Sequence, residues 1–375
     1  MRIILVTLFF VGMIACNNKN KSVSDGLLTM SPEKLMEKMI SSSDIVLIAD
    51  HHFIKDNVDY VTSLVPYFKK SGIKIFFSEF LLAKDSALID ELMMKPQFDD
   101  SLARVLSHNM LYHWGYQEYI DQMKAFWEIN HLLPKTEWIR LMGSMHKLKW
   151  EIFQTDEDWS NPIKRKEWEE WDGMPYEKRW AKLIAEYSIE RNQKGIVFAG
   201  LHHSTTEFHQ PIVINGKFQR FEDDRMGNFL YKKYGKRVKL IALHYPWFDR
   251  SGYNGSYVIP FHGKLDSLAE KSGYPFGIFS EQQSILDSGS VYSQGFNPLD
   301  ISNLCDGYIV VAPICKQKVV TVIPNFVHSG NLNESKRQEY TMRDSKFTVK
   351  SFNDSIQSWV NDIEGRLKKI CELKH

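Results

Sequence analysis

The sequence predicts an α/β fold, with a mainly parallel central sheet flanked by helices. Two observations predict it. Short, largely apolar runs, such as Ile45-Val46-Leu47-Ile48-Ala49 and, broken only by Lys239, Val238 to Leu243, have the length and β-branched content of strands buried on both faces. These runs alternate with longer segments of helical pattern, the order that builds parallel sheets. Composition allows such a fold: 43% hydrophobic and 25% charged residues is ordinary for a globular chain with a sizeable core.

The elements follow in order. Ser31 suits an N-cap and Pro32 the first helical position, so a helix begins there. Asp44 leads into the first strand, Ile45 to Ala49, and a helix covers 57–71. Ile73 to Phe77 reads as a second strand ending at Ser78-Glu79. Helices at 85–94 and 116–130 precede a third strand, Trp138 to Met142. Residues 147–192 are rich in Lys, Glu and Trp and read as a helical insertion. Gly195 to Ala199 is a fourth strand, a helix covers 224–234, and Val238 to Leu243 is a fifth strand. Tyr308 to Val311 is a late strand, and 351–371 a terminal helix. Residues 30–375 thus read as a single α/β domain carrying the insertion, with no internal repeat.

The N-terminus carries a different signal. Arg2 is followed by an almost wholly apolar stretch from Ile3 to Ile14, then Ala15 and Cys16, as in a secretory signal. The stretch is short of the ~20 apolar residues that cross a bilayer. Met13-Ile14-Ala15-Cys16 resembles the lipobox of bacterial lipoproteins, with Met13 a less usual first residue. That resemblance implies an exported chain in which residues 1–16 are the lipoprotein signal segment and Cys16, lipidated, becomes the mature N-terminus, held to a cell-envelope membrane by the lipid. Residues 17–29, polar with little to bury, read as a flexible tether. Formal net charge is +1, which gives no field for nucleic acid. Cys305, Cys315 and Cys371 form no CxxC, so a cysteine-built metal site is not indicated; a Cys305–Cys315 bond stays open.

Three strand ends carry ionisable residues. The first runs into Asp50-His51-His52, the second ends at Glu79, and the fourth runs into Gly200-Leu201-His202-His203. In open α/β sheets ligands bind beyond the carboxyl ends of the strands, so these residues meet at one edge. On an extended chain Asp50 and His52 face together and His51 faces away. A histidine held by a carboxylate can take a proton from water or an alcohol. Two histidines with carboxylates can instead hold a divalent metal that activates water. Gly-x-Ser-x-Gly, GxxxxGK[ST] and GxGxxG motifs are absent.

These residues resemble motifs of the erythromycin esterase / ChaN-like / Tiki (TraB-related) superfamily. Ile48-Ala49-Asp50-His51-His52 resembles its Gly-Glu-x-His signature, Phe77-Ser78-Glu79 its second-strand glutamate, and Phe198-Ala199-Gly200-Leu201-His202-His203 its later Gly-x-x-His element. Arg225 to Leu230 and Tyr234 to Val238 look like the helix and strand that follow, and order and spacing agree across 40–245. The resemblance implies catalytic roles for Asp50, His52, Glu79 and His203, with His52, Glu79 and His203 as metal ligands if a divalent metal binds. Ala49 stands where glycine is usual and Asp50 where glutamate is usual; aspartate is one methylene shorter, which alters a relay tuned for glutamate. The superfamily holds macrolide esterases, metal-dependent proteases and haem-binding lipoproteins. The leading expectation is therefore a lipid-anchored hydrolase of a small-molecule or peptide substrate. A haem- or metal-binding lipoprotein without catalysis, or an inactive scaffold, is the alternative; fold alone does not choose.

Other features have plainer readings. Trp150, Trp159, Trp168, Trp171 and Trp180 suit helix packing better than a ligand wall. His108, His113 and His146 read as surface or satisfied core histidines, and Arg225 as a partner of Asp223 or Asp224. Cys16→Ser should release the protein from membranes into a soluble or uncleaved form. Normal processing with persistent membrane association after a high-salt wash would show that lipid at Cys16 is not the anchor.

Overall fold

A computed structural model describes residues 27–373 except 215–216, 253–254, 294–297, 340, 342–343 and 345. The signal segment, Cys16 and most of the tether lie outside the described residues. Seven strands form the central sheet: β1 (Ile45–Asp50), β2 (Ile75–Leu82), β3 (Arg140–Met145), β4 (Gly195–Gly200), β5 (Val238–Leu243), β6 (Phe276–Phe279) and β7 (Gly307–Val310). Their order is β6-β7-β5-β1-β4-β2-β3. Every pair is parallel except β6 with β7. The chain leaves β1 for β2 on one side, and later crosses from β4 to β5 on the other. The crevice at the carboxyl ends of β1 and β4 is therefore the place where a doubly wound sheet binds ligands.

Alternation along the strands makes two cores. Ile45, Leu47 and Ala49 of β1 face one layer; Val46 and Ile48 face the other. Trp180, Leu183 and Ile184 of helix Tyr176–Tyr187, with Met226 and Leu230 of helix Met226–Tyr234, fill the first layer. Helices Pro32–Ser42, Asp100–Met110 and Gln117–His131 fill the second. The terminal helix Val349–Glu372 joins both: Phe352, Ile356 and Val360 belong to the second layer, and Ile363, Leu367 and Ile370 to the first. No described helix is long and apolar enough to cross a membrane.

Several elements differ from the sequence reading. The helix expected over 57–71 is two, Lys55–Ser63 and Val65–Lys70, because Pro66 offers no N–H to a continuous ladder. The helix Asp100–Met110, capped by Asp99 accepting from Leu102 N at 3.0 Å, was not anticipated. β2 runs on through Glu79 to Leu82. β6, which follows Pro275, was also unforeseen; it is only four residues long and glycine-interrupted. Within the expected insertion lie a short helix, Pro162–Glu169, and a two-stranded ribbon; its last part, Tyr176–Tyr187, is a layer helix of the domain itself.

The cysteines pair otherwise than as Cys305 with Cys315. Cys315 is bonded to Cys371, and Cys305 is buried and free. The bond fastens the end of the terminal helix to the loop after β7 across a separation of 56 residues. Cys371→Ser should lower unfolding stability on the scale of ~2–4 kcal/mol, seen as a lower urea midpoint. Reductant should lower the wild-type midpoint similarly and leave the mutant's unchanged; an unmoved midpoint in both would show that the bond adds no stability.

Candidate active site

The site is built around the point where β2 parts from β4. Their ladder runs to Ser78 opposite Phe198 and then stops. At the next residue a side chain takes over from the backbone: Glu79 Oε2 accepts the Gly200 N–H at 2.6 Å. Glu79 Oε1 then lies 3.6 Å from His52 Nε2 and 3.6 Å from His203 Nε2. Two imidazoles from different strand ends thus converge on one buried carboxylate oxygen.

Each imidazole has a second carboxylate behind its Nδ1. His52 follows β1 in a turn, anchored by Tyr119 Oη donating to its carbonyl at 2.6 Å. Its Nδ1 lies 3.4 Å from Asp50 Oδ1, and Phe80 and Trp114 wall the ring at 5.0 and 5.4 Å. Asp50 and His52 do face together, but through a turn and not an extended strand. His203 sits in the short helix Leu201–Ser204, and its Nδ1 meets Glu177 Oε1 at 2.6 Å. Glu177 also accepts from Met226 N at 2.8 Å and from Arg225 Nη1 at 2.9 Å, while Arg225 Nε donates to Glu222 at 2.6 Å. Arg225 therefore pairs with Glu177 and Glu222, not with Asp223 or Asp224. Gly200 is required by closeness: a Cβ there would lie 2.7 Å from His52 Cε1.

The electrostatics separate the four histidines. Burial opposes charge on His52, but Glu79 and Asp50 outweigh it and raise its pKa above the ordinary 6.5. Burial likewise opposes charge on His203, and Glu177 with Glu79 raises its pKa. Burial would push Glu177 up, yet His203 and Arg225 hold it down to about 2. Burial raises Asp50, with His52 pulling the other way, and neither Asp50 oxygen has a hydrogen-bond partner. His51 and His202 go the other way: burial and the neighbouring imidazolium bring His51 down to about 3, and burial with Arg225 puts His202 well below its usual value. His51 sits among Phe53, Tyr245, Phe248 and Tyr257, and His202 Nδ1 lies 2.8 Å from Gln210 Oε1.

Among the described residues no group of three or more His, Cys, Asp or Glu side chains is arranged to hold a metal ion. The space between the two Nε2 atoms is faced by a carboxylate whose other oxygen is already bound to backbone. His108 and His113 lie near Ser335 and Ser355 hydroxyls at 2.8 and 3.4 Å, and His146 packs between Trp171 and Tyr176. Trp150, Trp159 and Trp168 pack on one another, and Trp180 is buried 5.3 Å from the His203 ring. Glu177 is the site residue that sequence reasoning missed. It lies in the stretch read as an insertion, and only tertiary packing brings it to His203.

No protein-family model and no curated protein matches the chain. Solved structures similar to it include a mutant of the erythromycin esterase EreC in its open conformation, with TM-score 0.49, 10% identity, and 79% of this chain and 95% of that one covered. A succinoglycan biosynthesis protein gives TM-score 0.47 and 13% identity over 77% and 92%. ChaN of Campylobacter jejuni, solved with cofacial haem, gives 0.33 and 11% over 60% and 89%. The chemistry of the site rests on its own geometry.

Glu177→Gln removes the charge that stabilises the His203 imidazolium, so the His203 pKa should fall, as read by NMR titration. A raised histidine pKa adds stability that is complete below 6.5 and fades as pH rises through the folded value; the depressed Glu177 adds stability above 4.5 that fades as pH falls toward about 2. The pH-dependent part of the wild-type advantage over Glu177→Gln should therefore peak between 4.5 and 6.5. An unchanged His203 titration would refute the pairing.

Proposed function

We propose that the chain is a lipid-anchored hydrolase that cleaves ester-type bonds by paired general base and general acid catalysis, without a metal. The observation that carries this reading is that the Nε2 atoms of His52 and His203 each lie 3.6 Å from Glu79 Oε1 while each Nδ1 faces its own buried carboxylate. The cleft at the strand ends supports it as well. The Cys315–Cys371 bond fits an oxidising compartment and so supports export, with the signal segment and Cys16 giving the anchor.

Roles follow from the two backing carboxylates. Glu177, held at about 2, keeps a full charge against His203, so His203 is the imidazolium and the general acid. Asp50 faces His52 at 3.4 Å, a looser pairing than the 2.6 Å contact of Glu177 with His203, so His52 is assigned the general base. His52 takes a proton from water as the water oxygen bonds to the ester carbonyl carbon. His203 gives its Nε2 proton to the departing alkoxide oxygen as the C–O bond breaks, leaving acid and alcohol. His52 is then charged and His203 neutral. Glu79 Oε1, equidistant from both, carries the proton back.

With p-nitrophenyl acetate as probe, His52→Ala and His203→Ala should each lower kcat by about 100-fold, the scale of a lost general acid or base. His202→Ala should cost much less. The wild-type rate should fall on an alkaline limb as His203 loses its proton, and Glu177→Gln should move that limb to lower pH. Folded His52 and His203 variants with full activity would sink the catalytic reading and favour the scaffold. A Soret band on adding haem to the wild type, lost in His52→Ala, would favour the haem-binding alternative.

A further inference from the structure

A second cavity opens beside the histidine site, under the terminal helix. Its volume is about 370 Å³, at the small end of the ~300–1,000 Å³ of small-molecule sites. Its lining is largely aromatic: His51, Phe53, Phe248, Tyr257 and Trp359. Trp359 is 51% exposed although its ring stacks on Phe53 at 26°. The rest of the lining comes from the terminal helix: apolar Ile363, and the polar Ser358, Asp362 and Arg366. Asp362 accepts from Arg366 Nε at 2.7 Å, Arg366 Nη1 donates to the Gly255 carbonyl at 2.7 Å, and Ser358 stands one turn before Asp362.

This combination narrows the ligand. A wholly apolar molecule would strip water from Asp362 and Arg366 without replacing its hydrogen bonds. An anion would meet Asp362, and a cation would meet Arg366. A neutral ring with an apolar face and adjacent hydroxyls satisfies both: its C–H face lies on aromatic rings, while the hydroxyls donate to a carboxylate and accept from a guanidinium. We propose that this cavity binds a saccharide ring, its face on Trp359 and its hydroxyls on Asp362 and Arg366. Phe53 stacks in turn on Trp114 at 24°, and the Trp114 ring meets His52 edge-on at 5.4 Å. The three rings step from the cavity to the histidine. That the saccharide is part of an ester presented to His52 rests on the hydrolase reading; the binding does not.

The test is saturation-transfer NMR on the full chain in detergent, with the methyl pyranosides of glucose, galactose, mannose and N-acetylglucosamine. At least one should show transfer to its ring C–H protons. Trp359→Ala and Asp362→Asn should each weaken it by about tenfold or more, the size of a lost anchoring contact. Trp359→Phe and His52→Ala should retain binding. Transfer to none of the sugars, binding undiminished in Asp362→Asn, or equal binding of cyclohexanol would overturn the proposal. Asp362 is on the exposed rim, so its variant decides the matter even if Trp359→Ala fails to fold. Sugar binding by a wild type that hydrolyses no ester would keep this cavity and remove the hydrolase; hydrolysis without sugar binding would do the reverse.

Discussion

The Glu79 carboxylate is buried where the ladder between β2 and β4 stops. A buried carboxylate is costly unless its oxygens are matched, and here a backbone N–H takes one oxygen and two imidazoles approach the other. That arrangement fixes where β1, β2 and β4 end relative to one another. It requires glycine at 200, because any Cβ would displace the His52 ring. It also supplies the negative charge that helps raise both histidine pKa values against the pull of burial.

The terminal helix matters for a related reason. Its two halves belong to opposite layers, so it bridges the sheet at the end that carries the site. The Cys315–Cys371 bond secures its last turns, and helix residues 358–366 line the aromatic cavity beside β1. A cavity wall borrowed from a surface helix would be free to fray without such a fastening. Burial of Ile363, Leu367 and Ile370 provides the remaining hold, on the scale of ~1.5–3 kcal/mol for each fully buried side chain.

The residues that could be located from sequence are those whose position follows from a local pattern. An apolar run that breaks into Asp-His-His or Gly-Leu-His-His marks a strand end, and parallel topology brings such ends to one edge; Asp50, His52, Glu79 and His203 all meet there. β5 was legible to the residue because Val238 to Leu243 is bounded by polar residues and buried on both faces. Glu177 was not legible: its meeting with His203 depends on how a helix docks on the sheet. Arg225 was assigned to near neighbours because sequence favours local pairs, whereas the fold offers a buried carboxylate 48 residues away. The cysteine pairing depends likewise on where a terminal helix lands, and the aromatic cavity draws its walls from three distant segments.

Asp50 is the place where fold and chemistry pull against each other. Its side chain is buried, neither oxygen has a hydrogen bond, and its nearest cation is an imidazole at 3.4 Å. A glutamate, one methylene longer, would reach further toward His52 and bind it as Glu177 binds His203 at 2.6 Å. His52 would then be paired as tightly as His203. The short side chain keeps one pair loose while the other stays tight. Raised pKa values on both Asp50 and His52 are what a loosely shared proton produces: burial resists the carboxylate charge, and Glu79 favours the imidazolium. Two histidines made alike by the sheet are thereby made unlike by their backing carboxylates, and that inequality lets one act as base while the other acts as acid.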